Sequence, residues 1–331
     1  LGSIGPASQS AVPQLIEALN DEFLYVRICA AEALGSIGPK AHTAREALLA
    51  SAKDPALREQ AEWALNRIAG IEPGKPVVAP DLPEPSVPFQ SRMTVAQTGN
   101  PPIDWDTATR RNIVWSVELG NEVYGSPVVA GDVVYVGADN TRRINPAFRE
   151  DSGVLLAFRA TDGEFLWQDV APRVERGLRE WLLPSTTSAP YVEDDRLYYV
   201  TADCQLRSLD TKGFDDGEND GPYREEIFTG KGAADIVWQL DMPALGVFPH
   251  EACNSDVLAL GDLLVVGTSN GQNEGHTRVP SPHAPSLIAV NKHTGGVVWR
   301  AIGAGDRVLH GAWSSPVAAN VNGRVQVLFG G

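Results

Sequence analysis

The sequence predicts a multidomain chain, an α-helical solenoid followed by an all-β propeller of about four blades, and three repeat observations carry that reading. The first is helical: "LGSIGP" stands at Leu1 and again at Leu34, and "AVPQLIEALND" from Ala11 is echoed by "AREALLASAKD" from Ala44, a period of about 33 residues. In the second, "AFRATDGEFLW" from Ala157 and "AVNKHTGGVVW" from Ala289 share Ala first, Gly seventh and Trp last. The third is a hairpin pattern that recurs as "GSPVVAGDVVYVGADN", "SAPYVEDDRLYYVTAD", "NSDVLALGDLLVVGTSNG" and "SSPVAANVNGRVQVLFGG", from Gly125, Ser188, Asn254 and Ser314.

Within residues 1–70 the apolar spacing is that of helices. Val12, Leu15, Ile16 and Leu19 fall on one face, and Val26, Ala30, Ala33, Leu34 and Ile37 on another, so paired amphipathic helices stack. From 71 to 103 both rhythms stop. Prolines 73, 76, 80, 83, 85 and 88 fix φ and lack a donor, which predicts an extended linker without a core of its own.

From residue 104 to 331 each block reads as four antiparallel strands, recurring at roughly 50 to 70 residues, the spacing of propeller blades with loop insertions. The turn before each Trp strand needs a Gly free to take positive φ, here Gly163 and Gly295. A third copy is split, with "SLDTKG" from Ser208 and Trp238 after a long insertion, and a further Trp strand is expected around Trp115. Large amphipathic rings at the ends of strands need a neighbouring element, so Trp115, Trp167, Trp238 and Trp299 are expected to pack against the next blade.

The helical segment resembles HEAT-like repeats of the phycobilisome-lyase type, whose second helix reads VRxxAxxALGxIG; "VRICAAEALGSIG" from Val26 matches it closely. Residues 104–331 resemble the PQQ-like β-propeller repeat family, whose repeat ends near AxDxxTGxxxW. Ala289, Thr294, Gly295 and Trp299 fit, with Asn291 at the Asp position; Ala157, Gly163 and Trp167 fit, with Arg159 there. The resemblance implies an eight-bladed circle, of which this chain holds about half. The chain opens inside a helical repeat and stops in the second strand of the fourth blade, so it reads as a fragment at both ends, its propeller truncated at the C-terminus. The family includes quinone-dependent alcohol dehydrogenases and non-enzymatic scaffolds such as the lipoprotein of the outer-membrane β-barrel assembly machinery. The enzymes usually carry an adjacent Cys-Cys pair and a calcium held by Glu, Asn and Asp. Here no two cysteines are adjacent. The expected function is therefore a non-enzymatic binding or scaffolding propeller for a protein or glycan ligand, with no cofactor; the alternative is a PQQ-dependent dehydrogenase with calcium. The resemblance also implies an exported bacterial protein of the periplasm or cell envelope.

Composition narrows the partners. The net charge of −15 would repel nucleic acid and anionic membranes. No apolar run approaches the roughly 18 residues of a membrane helix. No P-loop, dinucleotide fingerprint or nucleophile elbow is present.

Strand order places loops. With four antiparallel strands per blade, the second-to-third connections and the blade-to-blade connections share one face, and the long insertions at 140–152, 168–187, 241–253, 271–285 and 303–313 fall there, with one exception, 213–233, on the opposite face. Binding residues gather on loops held by a rigid scaffold, so Asn140, Asp203, His250, Glu251, Asn254, Asn270, His310 and Trp313 are assigned to a ligand-binding face. His250, Glu251, Cys253, His276 and His283 are of the residue types that could bind a metal. Their spacing matches no zinc pattern, and no metal is assigned. The insertion "DDGENDG" from Asp215 partly imitates a calcium loop but offers Ile227 where a bidentate Glu belongs, so it reads as a solvated loop. Cys204 and Cys253 should lie on that same face of neighbouring blades. In an oxidising compartment they could form a bridge worth roughly 4 kcal/mol; the alternative is two unrelated thiols.

Overall fold

The computed structural model describes residues 9–54, 56–69, 102–172, 185–250, 252–273 and 276–330. Four helices come first: α1 (Val12–Ala18), α2 (Leu24–Ile37), α3 (Arg45–Ser51) and α4 (Arg58–Ile68). Pro13 opens α1, where a missing N–H is harmless, and Gly38 closes α2 at φ 70°. The second helix is apolar almost all round because α1 packs on one side of it and α4 on the other; Ile28, Ala30, Ala31, Leu34 and Ile37 are all buried. The Gly of the repeated "LGSIG" has a packing reason. A Cβ at Gly35 would run into the Trp63 ring of α4. Most of the proline-rich segment 71–103 lies outside the described residues.

Three four-stranded antiparallel meanders follow. They comprise β1 (Val128–Ala130), β2 (Val133–Asp139), β3 (Ser152–Arg159) and β4 (Phe165–Pro172); β5 (Tyr191–Glu193), β6 (Arg196–Val200), β7 (Gln205–Asp210) and β8 (Ile236–Asp241); and β9 (Leu258–Leu260), β10 (Leu263–Gly267), β11 (Leu287–Asn291) and β12 (Val297–Ala301). A fourth blade is present as the hairpin β13 (Val317–Val321) and β14 (Arg324–Leu328). The central strands β3, β7 and β11 are buried along nearly their whole length, as strands covered on both faces must be. Their side chains fill the spaces between sheets: Tyr135, Leu155 and Trp167 with Leu197, Tyr199 and Leu209, then Val200, Leu206 and Trp238 with Leu264, Val266 and Ile288.

One contact recurs from blade to blade. Trp115, Trp167 and Trp238 each lay their ring on a positive-φ glycine of the following blade, Gly163 (φ 76°), Gly213 (φ 59°) and Gly295 (φ 71°). Each indole N–H donates to a backbone carbonyl of the same turn, Ala160 at 2.8 Å, Thr211 at 2.9 Å and Lys292 at 3.0 Å. The glycine is thus required twice, for its backbone conformation and for the absent Cβ that lets the ring approach.

One expectation needs correction. Residues 113–119 form no strand, although Trp115 keeps the interblade contact, because a strand needs a partner and no described residue supplies one. Trp299 packs into the cluster that holds Ala318, Val325 and Val327 of the fourth-blade hairpin, but it is only half-buried and its Nε1 has no hydrogen-bond partner among the described residues.

Candidate functional site

On the loop-rich face three histidines from three different connections come together. His250 comes from the connection between β8 and β9, His276 from that between β10 and β11, and His310 from that between β12 and β13. Three of the chain's six histidines meet there. Their ring centroids are 4.4–4.7 Å apart, and one ring nitrogen from each lies within 4.8 Å of the others. Trp313 covers the group, stacked on His250 at 6.0 Å and edge-on to His310 at 4.6 Å. His250 is 2% exposed, His310 half-buried and His276 exposed, so the cluster opens to solvent on the His276 side.

Backbone hydrogen bonds hold the three loops together. The His250 N–H donates to Ser269 O at 2.9 Å, Gln272 N–H to His310 O at 3.0 Å, and Gln272 Nε2 to Val308 O at 2.9 Å. Trp313 Nε1 donates to His250 O at 3.2 Å. A carbonyl only accepts, so the 2.9 Å contact between His250 Nδ1 and Gln272 O assigns a proton to Nδ1. Gly271 lies where this crossing is tightest: a Cβ there would stand 2.7 Å from His250 Cβ and 2.6 Å from His310 O. The Asn273 carboxamide accepts the N–H groups of Thr277 and Arg278 at 2.9 and 3.1 Å, shaping the turn that presents His276 at φ 51°.

The same face receives the helical module. Arg278 Nη2 donates to the Tyr25 hydroxyl at 2.6 Å, and its guanidinium reaches Cys29 Sγ at 3.5–3.6 Å. Trp63 of α4 stacks on His283 with centroids 3.8 Å apart, and Tyr25 lies 5.5 Å from Phe248. Burial of that stack pushes His283 down to about 4, with Asp306 acting against the shift and Arg67 with it. Between module and loops runs a cleft of about 870 Å³, lined by Val26, Cys29, Glu32, Trp63, Arg67, Arg278, His283 and Asp306 among others. Burial raises the Glu32 carboxyl well above its ordinary range, with the Arg278 charge opposing. Glu32 and Arg278 line the same wall.

The remaining residues assigned from sequence divide by role. Asn140 donates to Phe148 O and Glu150 O, and Asn270 accepts from Phe248 N and donates to Ser281 O; both are buried and tie their own loops together. Asp203 borders a separate cleft of about 250 Å³, beside the buried pair in which Arg207 donates to Asp169 at 2.9 Å. Tyr199 donates to the same carboxylate at 2.5 Å. Asn254 is half-buried, and Glu251 lies outside the described residues. Of the five metal-capable residues named from sequence, His250 and His276 come together, His283 lies against Trp63 instead, and Cys253 is bonded to Cys204 with Cα atoms 5.2 Å apart. Spacing missed His310 as a partner of the other two because the three loops meet only through the blade-to-blade stacking. In the acidic insertion Asp220 pairs with Arg196 at 2.8 Å and Asp216 accepts the Glu218 N–H, so both carboxylates are engaged by protein groups.

Two family profiles match the chain: HEAT repeats over residues 1–66, and outer membrane protein assembly factor BamB over residues 75–180. HEAT repeats therefore precede PQQ-like propeller blades in this chain. No curated protein sequence matches it. Among solved structures, BamB from Moraxella catarrhalis is 17% identical over 62% of this chain and 44% of its own, with a TM-score of 0.33. A europium-containing methanol dehydrogenase is 15% identical over 56% and 26%, with a TM-score of 0.35. The quinohemoprotein alcohol dehydrogenase from Comamonas testosteroni is 15% identical over 64% and 40%, with a TM-score of 0.33. The chain thus spans less than half the length of each of these structures.

Proposed function

We propose that the chain is a non-enzymatic binding and scaffolding propeller that takes a protein or glycan ligand at its loop-rich face, next to the docked HEAT repeats. The observation that carries this reading is the cleft between helices and loops, about 870 Å³ and lined by apolar side chains with Arg278, Arg67, Glu32 and Asp306 among them. Its size and its mix of apolar wall and few charged groups are those of a ligand site. An assembly-factor profile over part of the propeller agrees with a binding role. The bridge between Cys204 and Cys253 agrees with export to an oxidising compartment, the periplasm or cell envelope. For the second reading, a PQQ-dependent dehydrogenase using calcium, the fold is the support, and fold alone does not carry a function.

The test is binding of the labelled chain to glycan and peptide arrays, repeated with Arg278→Ala and Asp306→Ala. Both residues are exposed, so both variants should fold. Retained ligands should bind the variants about tenfold more weakly or worse, the effect of losing one well-placed contact. Binding that ignores both substitutions, or no binding at all, would overturn the assignment.

A further inference from the structure

We propose that His250, His276 and His310 bind one divalent transition-metal ion of the zinc class, with the coordination positions on the His276 side open to water or to a ligand's own donor atom. The proposal goes beyond the binding reading above and does not depend on it. Imidazoles suit zinc, copper, nickel and cobalt, whereas calcium and magnesium require oxygen donors. Three histidines with an open position is the ligand set of accessible zinc sites. Nitrogens around a tetrahedral zinc stand about 3.3 Å apart, from a bond length near 2.0–2.1 Å. The separations of up to 4.8 Å close by rotation of the exposed His276 and the half-buried His310, while His250 stays fixed in its buried place.

Surrounding contacts resemble those of a built metal site. Metal-bound histidines almost always donate their second ring nitrogen to a carbonyl or carboxylate, and His250 does so to Gln272 O. The strap 269–272 fixes His250 and His310 together through backbone bonds, and Gly271 leaves them room to approach. A chain with net charge −15 also draws cations to its surface. An ion held here has a structural consequence: it fixes the loop whose Arg278, two residues after His276, grips Tyr25 and Cys29 of the helical module.

The experiment uses the 331-residue chain stripped by chelator dialysis, titrated with ZnCl2 by calorimetry and with CoCl2 by visible absorption. One ion per chain is expected, with cobalt d–d bands of nitrogen and oxygen ligation and no thiolate charge-transfer band. His276→Ala and His310→Ala should each weaken binding by about a hundredfold or more, given that loss of an outer-shell partner alone costs 10–100-fold. His293→Ala, on an exposed turn of the opposite face, should leave it unchanged. His250→Ala is avoided because that ring is buried; a zinc-induced rise in the melting temperature of the unsubstituted chain gives the second readout. No saturable binding below millimolar zinc, or wild-type affinity in both His276→Ala and His310→Ala, would overturn the site and leave an aromatic stack with Trp313.

Discussion

Replacing Trp167 with Ala should lower the unfolding free energy by about 3–5 kcal/mol, as for other fully buried aromatic truncations. Trp167 is 1% exposed, fills the space between the first two blades, and donates its indole N–H to Thr211 O at 2.9 Å. Truncation opens a cavity against Gly213 and leaves that carbonyl without its side-chain donor. Trp299→Ala is the internal comparison. Its ring is half-buried and its Nε1 has no described partner, so it should lose clearly less. Urea denaturation followed by circular dichroism measures both. Equal losses in the two variants, or under about 1 kcal/mol for Trp167→Ala, would show that the interblade ring is not what holds neighbouring blades together.

The second large effect belongs to Cys204 and Cys253. They join the turn between β6 and β7 to the connection ahead of β9, with a sequence separation of 49. In the chain-entropy account, a closed loop of that length stabilises by about 4 kcal/mol. The double variant Cys204→Ala, Cys253→Ala should therefore unfold about 2–4 kcal/mol more easily than the oxidised chain. Thiol counting on unreduced, denatured protein checks the bridge itself. One free thiol, from Cys29, is the expected count. Three would show that the two cysteines are only neighbours in the core.

Blade architecture was legible because it is written in residues that must recur. Trp115, Trp167 and Trp238 each meet a glycine and a carbonyl acceptor of the following blade, so the contact repeats in space as the Trp strands repeat in sequence. The helical pairs were legible for a similar reason, since Leu34 and Ile37 of α2 must meet α4 at a fixed period. Around Trp115 pattern misled: the residues match a strand, but strand formation depends on a partner that local sequence does not contain. The histidine cluster lay beyond local reading altogether. His250, His276 and His310 sit in three separate connections, and only the stacking of the third blade against the fourth brings them within reach of one another. Docking of the helical module was hidden too, because Arg278, His283 and Gly246 show no pattern that names Tyr25, Trp63 or Gln60 as neighbours. That docking changes the picture of the loop-rich face, part of which is covered by the chain's own helices.

The choice between binding and redox chemistry is open to one direct measurement, equilibrium dialysis of the chain against pyrroloquinoline quinone with excess calcium, followed by the absorbance spectrum of the retained fraction. A binding propeller should retain no stoichiometric quinone, and its spectrum should match that of the untreated protein. Retention of one quinone per chain, with a bound-quinone band that chelation of calcium removes, would contradict the binding account and establish the chain as part of a quinone enzyme.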